Sequence, residues 1–103
     1  MQNIFEHPNT KLLMQALLTL ETEEECQAFL EDLMTSKEVL DISQRMAVAW
    51  HLDENMSTAK IGEITGASSA TISRVNRCYQ YGAGGYPTVL KKLKEQGNVF
   101  AEK

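Results

Sequence analysis

Apolar residues recur at spacings of three and four along most of this chain. Nowhere do they alternate singly with polar ones, as a half-buried strand requires. The pattern predicts an all-α fold of about six helices. Pro8-Asn9 favours a turn or helix start, and residues 1–7 read as loose. From Thr10 to Leu20 the positions Leu12, Leu13, Ala16, Leu17 and Leu20 form an apolar stripe that Met14 and Leu18 widen. Thr22 and Glu25 make a capping box that opens a second helix. Its stripe is Cys26, Phe29, Leu30, Leu33 and Met34, with Glu23, Glu24, Glu31 and Asp32 outward. A third region starts near Ser36. The reading allows an interruption at Asp41-Ile42-Ser43, with Ser43 capping Gln44 to Asp53. Met46, Ala47 and the lone tryptophan, Trp50, are expected to pack inward, and His51 to lie at the surface.

The most informative stretch runs from Ser57 to Tyr79. Ser57 can cap a short helix carrying Ile61 and Ile64, and Thr65-Gly66-Ala67 breaks it. Gly66 suits a turn with positive φ, and small Gly62 is expected to let two helix backbones approach. Ser68 or Ser69 can cap the next helix, whose inward face is Ile72, Val75 and Tyr79. This is the pattern of a helix-turn-helix. The outward face of the second helix carries Ser69, Ala70, Thr71, Ser73, Arg74 and Arg77, all short, polar or basic. Short side chains let a helix sit deep in a major groove, where hydroxyls and methyls meet base edges and Arg reaches guanine or phosphate. A packing helix with a solvated polar face would look similar, so the charge distribution matters. Beyond it, Gly82-Ala83-Gly84-Gly85 reads as a joint and Pro87 as the first turn of a last helix. That helix has Val89, Leu90 and Leu93 on its apolar side.

The net charge of −4 is unevenly spread. Residues 1–55 hold three bases against eleven acids, and residues 56–103 hold seven bases against three. No carboxylate occurs from Ala67 to Lys94, where Arg74, Arg77, Lys91, Lys92 and Lys94 give five positive charges. The balance describes a basic working face on an acidic body, with double-stranded DNA as its expected partner. The start of the chain lacks the pattern of a signal peptide, and no apolar run approaches the roughly 18–20 residues that span a bilayer. A cytoplasmic protein without a membrane partner is expected. Cys26 and Cys78 lack metal-ligand spacing and read as reduced, partly buried residues. His7 and His51 are isolated, and no phosphate loop, nucleophile triad or carboxylate pair is framed. No enzymatic activity, metal or cofactor is expected.

The length of 103 residues suits one domain. Its expected parts are dimerisation helices at 8–54, a helix-turn-helix at 57–80 and a last helix at 87–97. The first two helices are too apolar for solvent, so packing against a second copy is expected. A homodimer would place two recognition helices about 34 Å apart.

The segment ITGASSATISRVNRC at Ile64–Cys78, the following Tyr81-Gly82, ETEEEC and FLEDL at Glu21–Leu33, and SQR at Ser43–Arg45 carry a resemblance. The chain resembles the Trp repressor superfamily, and within it the YerC/YecD-like group, from about Thr10 to Glu95. That resemblance implies an intertwined all-helical homodimer whose recognition helix, here 68–79, binds operator DNA. Carried over residue by residue, it points to Thr58, Ala59, Ser69, Ala70, Thr71 and Ser73 as DNA contacts. Charge and position add Lys60, Arg74 and Arg77 as phosphate contacts.

The resemblance also places an effector pocket at Arg45, Arg74, Val75 and Cys78. Two of these depart from the family pattern. Val75 stands where a glycine leaves room for an indole, and Cys78 replaces a serine that helps hold the ligand's amino group. Tryptophan is therefore not the expected effector, and another small molecule, or none, stays open. The leading expectation is a transcriptional regulator, a repressor by occupancy. The alternative of another class is a protein-interaction module that docks a partner of the transcription machinery through the same helix pair.

Overall fold

The computed structural model describes residues 3–100. Six α-helices follow a short 3-10 turn at Ile4–Glu6, and no strand occurs among the described residues. They are α1 (Pro8–Leu17), α2 (Glu23–Leu33), α3 (Ser36–Asp53), α4 (Thr58–Thr65), α5 (Ser69–Tyr81) and α6 (Gly85–Glu95). The all-α expectation holds. None of the helices is long and apolar enough to cross a membrane.

The contacts fall into two compact units, one up to Ser36 and one from Lys37 onward. In the first, α1 starts earlier than its apolar stripe suggests. Pro8 sits in the first turn, where its missing N–H costs nothing, and the His7 ring nitrogen Nδ1 accepts from the Asn9 N–H at 3.1 Å. The first residues, expected to be loose, include the 3-10 turn, which Asn3 caps by accepting from the Phe5 N–H at 3.0 Å. In α2 the capping box forms as read: Thr22 Oγ1 accepts from the Glu25 N–H, and the Glu25 carboxylate accepts from the Thr22 N–H. No residue of α1 or α2 is buried. Leu12 is 67% and Leu18 85% exposed.

In the second unit α3 runs unbroken, contrary to the reading that allowed an interruption at Asp41–Ser43. Ser43 does not cap a new helix. Its hydroxyl donates to the Val39 carbonyl at 2.7 Å, a bond one turn back that a continuous helix tolerates. The last turns of α3 bring Val48, Ala49 and Trp50 into the core with Ile61 of α4, Ile72 and Val75 of α5, Leu90 of α6, and Ala67 from the turn. His51, expected at the surface, is buried, and its Nδ1 lies 3.2 Å from Glu54 Oε1. Val89, read as inward, is about half exposed.

Asp53 closes α3 at the end where the helix dipole disfavours an acid. Two partners compensate. The Lys94 ammonium of α6 donates to one carboxylate oxygen, and the Tyr79 hydroxyl of α5 donates to the other at 2.5 Å. Lys94 also lies 5.0 Å from the centre of the Trp50 ring, a cation–π distance. Lys94 first and Tyr79 second hold the Asp53 carboxyl below the usual carboxylate range, and the same bond pushes the Tyr79 phenol up.

Because the folded-state pKa of Asp53 is lowered, its contribution is present above the unfolded value of about 3.9 and disappears as pH falls through the folded value. Asp53→Asn is expected to cost about 1 kcal/mol at pH 7. The deficit should shrink as both proteins are taken from pH 4 toward pH 2. Denaturant unfolding across that range measures it, and a deficit that persists undiminished at low pH contradicts the assignment.

Candidate nucleic-acid interface

The helix-turn-helix is assembled from local signals that the sequence displays. Ser57 Oγ accepts from the Lys60 N–H at 3.2 Å and starts α4. Gly66 ends it at φ 72°, in the left-handed region, with its N–H bonded to the Gly62 carbonyl at 3.0 Å. Nothing lies within 4 Å of a Cβ built there, so the requirement for glycine is one of backbone angle alone. Thr65 ties the turn by donating to the Ile61 carbonyl and accepting from the Ala67 N–H. Of the two candidate caps for α5, Ser68 is used: its Oγ accepts from the Thr71 N–H at 3.1 Å and donates to Thr71 Oγ1.

Gly62 lies where α4 meets the turn and α5, as expected, but the space does not require glycine. A Cβ there would meet Ala67 O at 3.5 Å and Ile72 Cδ1 at 3.6 Å, which is ordinary contact. Close backbone approach therefore does not demand glycine. Gly62 lies in the floor of the groove between α4 and α5.

That groove is the candidate interface. It is a concavity of about 510 Å³ whose rim and walls include Thr58, Ala59, Ser69 and Ser73, and none of its lining residues is charged. Four of the expected DNA contacts are thus gathered on one surface. Lys60, Ala70 and Arg77 are exposed but line no part of the groove. The short hydroxyl and methyl side chains leave space for an incoming ridge of backbone or base edges. The first turn of α5 carries no acid, so no side-chain charge offsets the positive end of its dipole.

Asn76 also lines the groove and was missed by the sequence reading. Its signal was available, since positions 69, 73 and 76 share a helix face. Its side-chain oxygen accepts from Gln80 Nε2 at 2.9 Å, which orients an amide of the type that pairs with adenine.

Thr71 and Arg74 belong to a different surface. They line a second cleft of about 160 Å³ with Arg45, Val75, Cys78 and Tyr86. All four residues expected in an effector pocket are therefore brought together, while Tyr86 was not anticipated. Val75 is only 3% exposed. Cys78 is exposed rather than partly buried, because it falls on the rim of α5, one residue away from inward-facing Tyr79. Both cysteines are free.

Comparison with known proteins places this geometry in a family. The family model described as Trp repressor protein matches residues 9–94. The Bacillus subtilis (strain 168) protein YerC, itself uncharacterized, is 45% identical over 83 residues, covering 81% of this chain and 80% of YerC. A crystal structure of a TrpR-like protein from Eubacterium eligens superposes with a TM-score of 0.85 at 40% identity, covering 97% of this chain and all of that one. A Staphylococcus aureus protein, described as a candidate Trp repressor, superposes with a TM-score of 0.84 at 38% identity, covering 91% of this chain and 96% of that one. Trp repressor family proteins are regulators rather than enzymes, and the family suggests a helix-turn-helix DNA-binding regulator. With that family model matching residues 9–94 of its 103, the chain belongs to the Trp repressor family.

Proposed function

We propose that the protein is a sequence-specific transcriptional regulator, a repressor that occupies a two-fold symmetric DNA operator as a homodimer. The observation that carries this reading is the uncharged groove between α4 and α5, walled by Thr58, Ala59, Ser69 and Ser73 and flanked by exposed Lys60 and Arg77. Small hydroxyls and methyls suit base edges in a major groove, and the flanking cations suit phosphates. Ala70 adds a methyl on the exposed first turn of α5. Arg74 and Thr71 lie on the side of α5 that faces the second cleft, where Arg74 remains exposed and able to reach phosphate.

The homodimer rests on α1 and α2. Two helices rich in leucine bury no residue within this chain, and solvent-exposed apolar faces of that kind call for a partner. A second copy supplies it and places the second recognition helix that a symmetric site needs. Sedimentation equilibrium is expected to give twice the chain mass of 11.6 kDa at micromolar concentration. Leu12→Glu with Leu17→Glu should shift the species toward monomer. A wild-type monomer under these conditions contradicts the dimer.

Tryptophan is not the effector in this reading. Pockets that enclose drug-sized ligands hold about 300–1,000 Å³. The cleft beside Arg45 and Arg74 holds about 160 Å³ with the Val75 side chain packed beneath it.

Selection of bound duplexes from a random library, by purified protein without added ligand, is expected to return a two-fold symmetric motif. Binding to that motif should weaken with salt, and Lys60→Ala with Arg77→Ala, which together remove four phosphate contacts from the dimer, should make the slope of log affinity against log salt shallower by about 3.6. A salt-insensitive complex contradicts the reading. So does the absence of any recovered sequence together with a stoichiometric protein partner on purification, which supports the interaction module instead.

A further inference from the structure

We infer that α3 mounts the helix-turn-helix at two points, Gln44 at the turn and Asp53 at the far end of α5, and that this mount sets operator discrimination without touching DNA. The inference deepens the DNA-binding reading and rests on it.

Two hydrogen bonds define the mount. The Gln44 side-chain amide donates to the Thr65 carbonyl at 3.2 Å, and the Tyr79 hydroxyl donates to Asp53 at 2.5 Å. The Thr65 carbonyl is in the last turn of α4, where carbonyls have no partner within the helix, so Gln44 supplies what the turn lacks. The donor and acceptor sit nine residues apart on α3, about 13.5 Å along its axis. On α5, Tyr79 lies ten residues beyond Ser69, about 15 Å along that axis.

Between these points α5 rests on Ile72 and Val75, which are buried in the core. Apolar contacts hold a helix down but are not directional, so on their own they let it rock. A hydrogen bond weakens steeply with misalignment, and one at each end resists that motion. The placement of Asp53 is otherwise hard to account for. An acid in the last turn of a helix opposes the dipole, yet this one receives both the Tyr79 hydroxyl and the Lys94 ammonium. Lys94 anchors the carboxylate from α6, which leaves the other oxygen held in place for Tyr79.

Slack at either point has an unequal effect on the two parts of DNA binding. Phosphate contacts from long Lys and Arg side chains tolerate a small tilt. Base-edge contacts from Ser69, Ser73 and the Asn76 amide do not, because their side chains are too short to compensate. Gln44 and Asp53 are thus positioning residues, and Tyr79 transmits the position.

The test compares wild type, Tyr79→Phe, Gln44→Met and the double variant on a duplex carrying the selected motif and on a scrambled duplex. Binding is measured over a salt series, at a temperature where circular dichroism shows each variant folded. The specificity ratio is expected to fall about tenfold or more in the double variant, with affinity for the scrambled duplex and the salt slope unchanged. An unchanged ratio, or an equal loss on both duplexes, overturns the mount. A wild type with no preference between duplexes overturns the DNA-binding reading and takes this inference with it.

Discussion

What α5 presents outward depends on how its inward face is held. Ile72 and Val75 are each about 3% exposed, and they pack among Val48, Trp50, Ile61 and Leu90. Burial at spacings of three and four fixes the rotation of the helix about its axis. Once that rotation is set, Ser69, Ser73 and Asn76 must face the groove shared with α4. Thr71, Arg74 and Cys78 must face the cleft shared with α3 and α6. The two faces of one helix thus carry two different surfaces, an uncharged groove of about 510 Å³ and a cleft of about 160 Å³ that contains two arginines.

Electrostatics reinforce this division. The acids of the chain are concentrated in its first half, while α5 carries no acid and α6 only Glu95. The one long-range ion pair named above, between Lys94 and Asp53, consumes a cation of α6 to support the fold. Lys60, Arg74, Arg77, Lys91 and Lys92 stay exposed. A modest positive face of this kind gives weak binding singly and stronger binding when doubled, which makes the proposed dimer and the proposed activity interdependent.

Much of this was legible in the sequence because it is local. The capping box at Thr22 and Glu25, the turn at Gly66, and the inward stripe of Ile72 and Val75 are set by residues within a turn of one another. The contacts that no local pattern could show are long-range. Asp53 finds Tyr79 across 26 residues and Lys94 across 41, and no periodicity announces such a meeting. His51 looked like a surface residue because its polarity argued for solvent, but it adjoins Trp50 at the point where α3 enters the core. Ser43 looked like a cap because serine is a common capping residue and it precedes the longer helical stretch Gln44 to Asp53. A serine that bonds back to Val39 gives the same sequence signal without ending a helix. The grouping of Arg45, Arg74, Val75 and Cys78 around the second cleft came only through resemblance, and the departures at Val75 and Cys78 came from the sequence itself.

The claim on which the account depends is that the groove between α4 and α5 is the surface that meets DNA. Amide chemical shifts of the isotopically labelled protein, followed during titration with a bound duplex, test it directly. The account predicts that the largest changes fall on Thr58–Gly62 and Ser68–Arg77, with α1 and α2 little affected. Changes concentrated in α1 and α2, with the groove silent, would contradict it.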